Sequence, residues 1–198
     1  MPPDSLPFPP NPSQRSDVNP ALPPLAAWAN FYMIVGTSGA ALIGIQFVVI
    51  TLIADMRPRP PADSINAFGT PTVVHLAGAL IVSALMSVPW TSLFPASVAL
   101  SLCGFGGLAY GAIVIRRAHR QRFYQPVWDD WLWYAVLPSS FYAALAVSAI
   151  VLRSTTPLAM FVIGAAALGL LLIGIRNAWD SVIHLVVTSS HGDSNKTK

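Results

Sequence analysis

Five apolar stretches between Trp28 and Val187, each long enough to cross a lipid bilayer as a helix, constrain this chain more than any other feature. Crossing the hydrocarbon takes about 20 helical residues, and only lipid rewards so much continuous apolar surface. Charged residues make up 10% of the chain, whereas a soluble domain carries about 25%. We therefore predict an all-α, polytopic membrane protein built as a bundle of five transmembrane helices.

The limits of the predicted spans follow from the apolar pattern. They run over 28–54, 72–90, 94–115, 131–152 and from 157 to as far as 187. Thr70-Pro71 and Thr156-Pro157 are each typical of a helix start, with a capping hydroxyl before a proline at the first helical position. All six tryptophans fall near predicted span ends, where an amphipathic ring prefers the headgroup region.

The two ends of the chain differ from the predicted membrane domain, which covers residues 26–188. Residues 1–25 hold nine of the eighteen prolines, so we predict an extended, disordered tail there. This segment lacks the basic start and short apolar core of a signal peptide. Residues 189–198 are predicted to form a polar C-terminal tail.

The basic residues predict an orientation. Five spans place nine of the eleven lysines and arginines on one side of the membrane and two on the other. The positive-inside rule then puts the N-terminus outside the cell (plasma or inner) membrane and the C-terminus in the cytoplasm. The loop after the third span should attract anionic lipid headgroups and pair with Asp129 and Asp130. Its arginines are Arg116, Arg117, Arg120 and Arg122, and no wider basic cluster suggests nucleic acid as a partner.

Rows of small residues predict where the helices pack, because lipid gives them no hydrophobic reason to associate. The rows comprise Gly36, Ala40 and Gly44 in the first span, Gly107 and Gly111 in the third, and Ala165 and Gly169 in the fifth. Contacts within the chain are favoured, since five helices offer enough neighbours. Contacts with a second copy or with a partner in a membrane complex stay open.

Two residues interrupt the apolar pattern inside predicted spans. Gln46 needs hydrogen-bond partners in hydrocarbon, and bonding to another helix is favoured over lining a pore. Pro138 removes a helical hydrogen bond and predicts a kink in the fourth span. Ser139 and Ser140 are placed to satisfy the carbonyl groups that such a kink frees.

Polar residues gather at a similar predicted depth near the cytoplasmic face. The candidate polar or ion site comprises His75, Asn177, Asp180, Ser181 and His184. Its last four members recur at spacings of three and four, which places them on one helical face. An ionisable side chain costs about 2.5–3.5 kcal/mol at the centre of a membrane helix, so its presence indicates a partner or a function.

Three interpretations of this candidate site stay open. In the favoured one, Asp180 and His184 pair at i, i+4 and His75 meets them across a helix interface, so the group is structural. In the second, the same residues form a path for protons or cations, because imidazole titrates near neutral pH. In the third, His75 and His184 bind a metal or haem iron with Asp180 as ligand or support. Two histidines are the minimum for such a site, so we predict no cofactor.

Catalytic motifs are not indicated. All eight acidic residues are Asp, which excludes motifs that require Glu, such as the H-E-x-x-H zinc site. The G-x-S-G form of residues 36–39 resembles the serine motif of rhomboid intramembrane proteases. However, at about 1.5 Å per residue, Ser38 lies too far in depth from His75 and His184. We expect a non-enzymatic scaffold or subunit of a membrane complex, with a small proton or cation channel or carrier as the alternative and a haem- or metal-binding redox subunit third.

Overall fold

The computed structural model describes the backbone over residues 23–55, 62–120 and 131–194, and side chains over 25–52, 70–116, 131–180 and 182–183. Several features of the sequence analysis lie outside these described residues. They are the proline-rich segment 1–22, the end of the chain from residue 195, Arg122, Asp129 and Asp130, and the side chains of Arg117, Arg120, Ser181 and His184.

Every element in the described ranges is helical. The order is α1 (Pro23–Ala26), α2 (Ala29–Asp55), α3 (Ala62–Ser87), α4 (Leu93–Arg120), a π-helical turn (Leu132–Val136) that leads directly into α5 (Leu137–Val151), and α6 (Thr156–Ser194). Within them, five segments are long and apolar enough to cross a membrane. The all-helical class and this number of candidate spans are thus confirmed.

The start of α3 differs from the prediction. The helix begins at Ala62, and Pro71 lies inside it rather than at its first position. The sequence before this proline, with Asp63, Ser64 and Asn66, is polar, and the predicted span starts at residue 72, so the proline lies near the start of the apolar part and not at the start of the helix. A proline removes only one backbone hydrogen bond, and the carbonyl that it frees, at Ala67, precedes the apolar part. By contrast, α6 begins at Thr156, within one residue of the predicted start at Pro157.

The core lies between α3 and α6. Of their apolar spans, 50% and 61% of residues are buried, against 22% for α2 and 11% for α4. Leu76 on α3 and Ile163 and Leu170 on α6 are fully buried in this core. The helices α2 and α4 therefore lie at the periphery, where α2 packs on α3 and α4 packs on α5.

Glycines set the closest helix contacts. A Cβ added at Gly104 would lie 2.7 Å from the backbone nitrogen of Ala146, so α4 and α5 touch through their backbones there. Close by, the hydroxyl of Ser97 donates to the carbonyl of Ala149 over 2.5 Å. At Gly174, an added Cβ would lie 2.5 Å from Leu76, which brings α6 against α3.

The predicted small-residue rows divide between the interior and the surface. Gly36 packs on Ser83, Gly107 on Tyr142, Gly111 near Ser139 and Gly169 on Phe141. Ala40, Gly44 and Ala165 are exposed, and a Cβ added at Gly44 would meet no described atom within 4 Å. The reason is the helical period of about 3.6 residues. A row spaced by four drifts around the helix, while the face of α2 that meets α3 continues through Gly39 to the buried Gln46.

The predicted interruption at Pro138 takes the form of the π-helical turn. The backbone N–H of Leu137 donates to the carbonyl of Leu132, five residues earlier. Pro138 follows at the start of α5. The hydroxyl of Ser140 donates to the carbonyl of Val136 over 2.8 Å, whereas the carbonyl that a proline at 138 frees lies four residues before it, at Tyr134, so this bond is not the one expected from the sequence.

Candidate functional site

His75 and Tyr142 form a buried pair between α3 and α5. Each side chain is 3% exposed. The Nδ1 atom of His75 lies 3.4 Å from the hydroxyl oxygen of Tyr142, and the centroids of the two rings are 5.9 Å apart. One member of the pair donates and the other accepts, depending on which imidazole nitrogen carries the proton.

Two glycines hold Tyr142 in this position. A Cβ added at Gly78 would lie 2.7 Å from the Tyr142 hydroxyl, and one at Gly107 would lie 2.1 Å from its ring. Any side chain at either position would displace the tyrosine from His75. The pair therefore depends on small residues from α3 and α4 as well as on its own polar atoms.

A small cavity lies beside this pair, between α3, α4 and the start of α5. Its buried inner wall consists of Pro71, His75, Pro138 and Tyr142. Its half-buried rim consists of Gly107, Tyr110, Gly111, Val114, Tyr134 and Ser139. The cavity volume is about 10 Å³, which is room for about one water molecule.

The position of the cavity follows from the way α4 and α5 cross. Their backbones touch at Gly104 and Ala146. One to two turns further along α4, a Cβ added at Gly111 would reach only ordinary contact, 3.4 Å from the Ser139 hydroxyl. The π-helical turn carries Tyr134 at this wider end, and such turns occur frequently at functional sites.

A second polar group lies on α6. Arg176 forms an ion pair with Asp180 one turn later, and its guanidinium lies 5.5 Å from the ring centroid of Trp133 on the π-helical turn. The sequence analysis expected Asp180 to pair with His184, whose side chain is not described. A signal for the observed partner was present, because Arg and Asp four residues apart on a helix face each other.

The described members of the candidate polar site have different neighbours. His75 faces Tyr142, while Asp180 pairs with Arg176 and is about one-third exposed. Asn177 is fully buried, one turn beyond the contact of Gly174 with Leu76 and therefore on the side of α6 that meets α3. Ser181 and His184 follow on the same helix, with side chains outside the description.

Over the part of the chain where side chains are described, no group of three or more His, Cys, Asp and Glu lies together. The two glycines of the G-x-S-G segment pack on α3, Gly36 against Ser83 and Gly39 against the carbonyl of Leu76. His75 lies with Tyr142 rather than with Ser38.

Sequence reasoning missed the tyrosines of the cavity. Tyr134, Pro138 and Tyr142 are spaced by four, a pattern that indicates one helical face. Tyr110 lies between Gly107 and Gly111, two glycines that were predicted as packing residues only. That these two groups face each other beside His75 depends on the α4–α5 crossing, which spacing along the chain does not reveal.

Comparison with known proteins gives no likeness. No protein-family model matches this chain, and neither a curated protein nor a solved structure does.

Proposed function

We propose that this chain is a non-enzymatic integral protein of the cell membrane that serves as a scaffold or subunit of a membrane complex. The observation that carries the proposal is that the polar side chains of His75 and Arg176 have partners inside the bundle, although the buried hydroxyls of Tyr32 and Ser83 form no hydrogen bond within the described part of the chain. His75 faces Tyr142, and Arg176 contacts both Asp180 and Trp133. Polar groups engaged in this way hold membrane helices together.

The exposed face of α2 supports the same proposal. Ala40 and Gly44 lie on this face and offer a flat surface beside large exposed apolar side chains such as Phe47. Small residues let another helix approach closely in lipid. The partner is a second copy of this chain or another membrane protein.

The proposed orientation places the N-terminus outside and the C-terminus in the cytoplasm, as the positive-inside rule requires. The exposed Arg116 then lies at the cytoplasmic end of α4. There it and the following arginines attract anionic headgroups, each contributing about 1 kcal/mol near the surface.

Extraction of the full chain from membranes in a lipid-preserving copolymer tests the scaffold proposal. We expect an assembly larger than one copy, and we expect Gly44→Leu to reduce its recovery. Gly106→Leu is the matched control, because it places the same side chain on the outward face of α4, where an added Cβ also meets no described atom. Recovery of single copies only, for the wild type as well as the variants, would contradict the proposal.

A proton or cation conduit is the second candidate, and the cavity beside His75 is the observation that favours it. Its test is flux in proteoliposomes that contain the purified chain. A conduit requires flux above that of empty vesicles, and His75→Phe should abolish it. The scaffold proposal expects background flux from the wild type and from Asp180→Asn alike.

A further inference from the structure

The buried side of the cavity includes Pro71 and His75 of α3, and its half-buried residues all belong to α4, the π-helical turn and the start of α5. The helices α4 and α5 touch at Gly104 and Ala146 and separate toward Gly111 and Ser139. The inner wall is buried, whereas every rim residue is half-buried. On the outside of this rim α4 is the least buried span, and its Ile113 is 47% exposed. In a bilayer, the mouth of the cavity therefore faces lipid.

The lining is mostly apolar, and none of its polar side chains carries a permanent charge. The described walls carry the hydroxyls of Tyr110, Tyr134, Ser139 and Tyr142 and the imidazole of His75. Apart from His75, none of these side chains is ionisable near neutral pH. Each hydroxyl can both donate and accept a hydrogen bond. Such a lining suits a neutral oxygen, because a formal charge buried without a countercharge is costly.

The position and size of the cavity limit its occupant further. His75 lies four residues beyond Pro71, near the start of the apolar part of α3, so at about 1.5 Å per residue the cavity is about 6 Å from that end of the span. A volume of about 10 Å³ admits about one water-sized group. A single oxygen fits inside, and anything larger must remain in the mouth.

From this geometry we propose that the cavity binds the uncharged polar head, a hydroxyl or carbonyl oxygen, of an amphiphile dissolved in the bilayer. The oxygen enters between Ser139 and the tyrosine hydroxyls. The apolar remainder of the ligand lies in the mouth between α4 and α5, in contact with lipid. The back wall, His75 with Tyr142, fixes the depth to which the head can enter.

Photolabelling in phospholipid nanodiscs tests this site. The probes are a long-chain alcohol with a diazirine beside its hydroxyl, the matched diazirine alkane and the matched diazirine fatty acid. We expect saturable labelling by the alcohol of peptides that include Gly107–Val114 or Tyr134–Ser139. Unlabelled long-chain alcohol should compete with it, and the alkane and the fatty acid should label these peptides no more than other lipid-facing peptides.

Variants separate binding in the cavity from general contact with lipid. Gly111→Leu fills the mouth, since its Cβ points to Ser139 at 3.4 Å, and should abolish saturable labelling. Gly106→Leu changes the outward face of the same helix and should leave labelling unchanged. Ser139→Ala removes one hydrogen bond and should weaken competition about fivefold. Size-exclusion profiles and helical circular dichroism show whether each variant is folded.

Three outcomes overturn the proposal. Equal labelling by alcohol and alkane shows ordinary lipid contact, and preferential labelling by the fatty acid shows a site for anions. Labelling that Gly111→Leu leaves intact in a folded protein places the ligand elsewhere. The experiment does not depend on assembly of the chain with a partner, so the scaffold proposal and this one can fail separately.

Discussion

The two ends of the bundle are closed in different ways. At the end where α2 and α6 begin, Trp28 packs edge-on against Phe31 and Phe161, with ring centroids 5.5 and 4.9 Å apart. Leu25 of α1 is 3% exposed beside them. We call this the aromatic end. The opposite end, which we call the polar end, contains the cavity beside His75. It also contains, separately, the ion pair of Arg176 with Asp180.

The comparison shows that the same helices are sealed by packing at one end and joined by polar contacts at the other. Ring-on-ring contacts bury a large apolar area, although the hydroxyl of Tyr32, which packs on Trp28 and Phe31, is buried there without a hydrogen-bond partner. Hydrogen bonds between membrane helices contribute about 0.6 kcal/mol on average. We therefore expect the aromatic end to supply more stability and the polar end to tolerate changes that alter binding.

The α4–α5 crossing lies between the two ends of the bundle. A substitution there should cause the largest loss in the free energy of unfolding. Gly104→Leu forces a side chain into the backbone of Ala146, and we expect a loss of about 3 kcal/mol in unfolding free energy. Equilibrium unfolding by SDS in bicelles, followed by helical circular dichroism, measures it. Gly106→Leu is the control with no described neighbour, and an equal loss in both variants would contradict the close crossing.

Loss of the ring contacts at the aromatic end should have the second-largest effect on the free energy of unfolding. Trp28→Ala removes contacts to Phe31 and Phe161 and to Gly164, where an added Cβ would lie 2.7 Å from the indole. Since Trp28 is only half-buried, we expect the free energy of unfolding to fall by about 2 kcal/mol. This is less than the loss of about 3–5 kcal/mol that is typical when a fully buried aromatic residue is replaced by alanine. Trp179→Ala, at a side chain 63% exposed, should change stability little. Equal losses of stability in the two variants would show that the ring contacts of Trp28 do not stabilise the aromatic end.

The buried pair at the polar end should give a smaller effect. We expect His75→Phe and Tyr142→Phe to show a coupling of about 1 kcal/mol in a double-mutant cycle, because one hydrogen bond is lost in either single variant. The measurement is the same unfolding titration on the two single variants and the double variant. Additive effects would mean that the 3.4 Å contact contributes nothing to stability.

The smallest effect should come from Asp180. Its ion pair with Arg176 joins two side chains of one helix that are both about one-third exposed, and such pairs contribute about 0.5 kcal/mol or less. Asp180→Asn should therefore lower stability by no more than this, and added salt should reduce the difference further. A loss that persists at high salt would show that this pair is shielded from water.

The sequence predicted the helices better than the site. Spans can be predicted because hydrocarbon selects for apolar length, and Thr156-Pro157 is a local signal for the start of α6. Pro138 predicted an interruption of the fourth span, but the π-helical form of the turn before it was not predicted. The start of α3 was missed because Pro71 is typical of a first turn, while here the helix continues outward beyond the apolar part.

The cavity was not predictable from spacing. His75 was singled out as a polar residue at the right depth, but its partner Tyr142 is 67 positions away along the chain. Their meeting depends on Gly78 and Gly107, which let α3, α4 and α5 close around one phenol ring. Hydropathy reports depth in the membrane and does not report which neighbour each helix face meets.

The wide turn before Pro138 has a consequence for the whole first part of that span. A turn closed by a bond over five residues, as between Leu137 and Leu132, holds one residue more than an ordinary α-turn. Trp131, which precedes the turn, is thereby rotated by about 100° relative to an uninterrupted α-helix. Deleting one residue from the turn would undo this offset and move Trp133 from its present place beside Arg176.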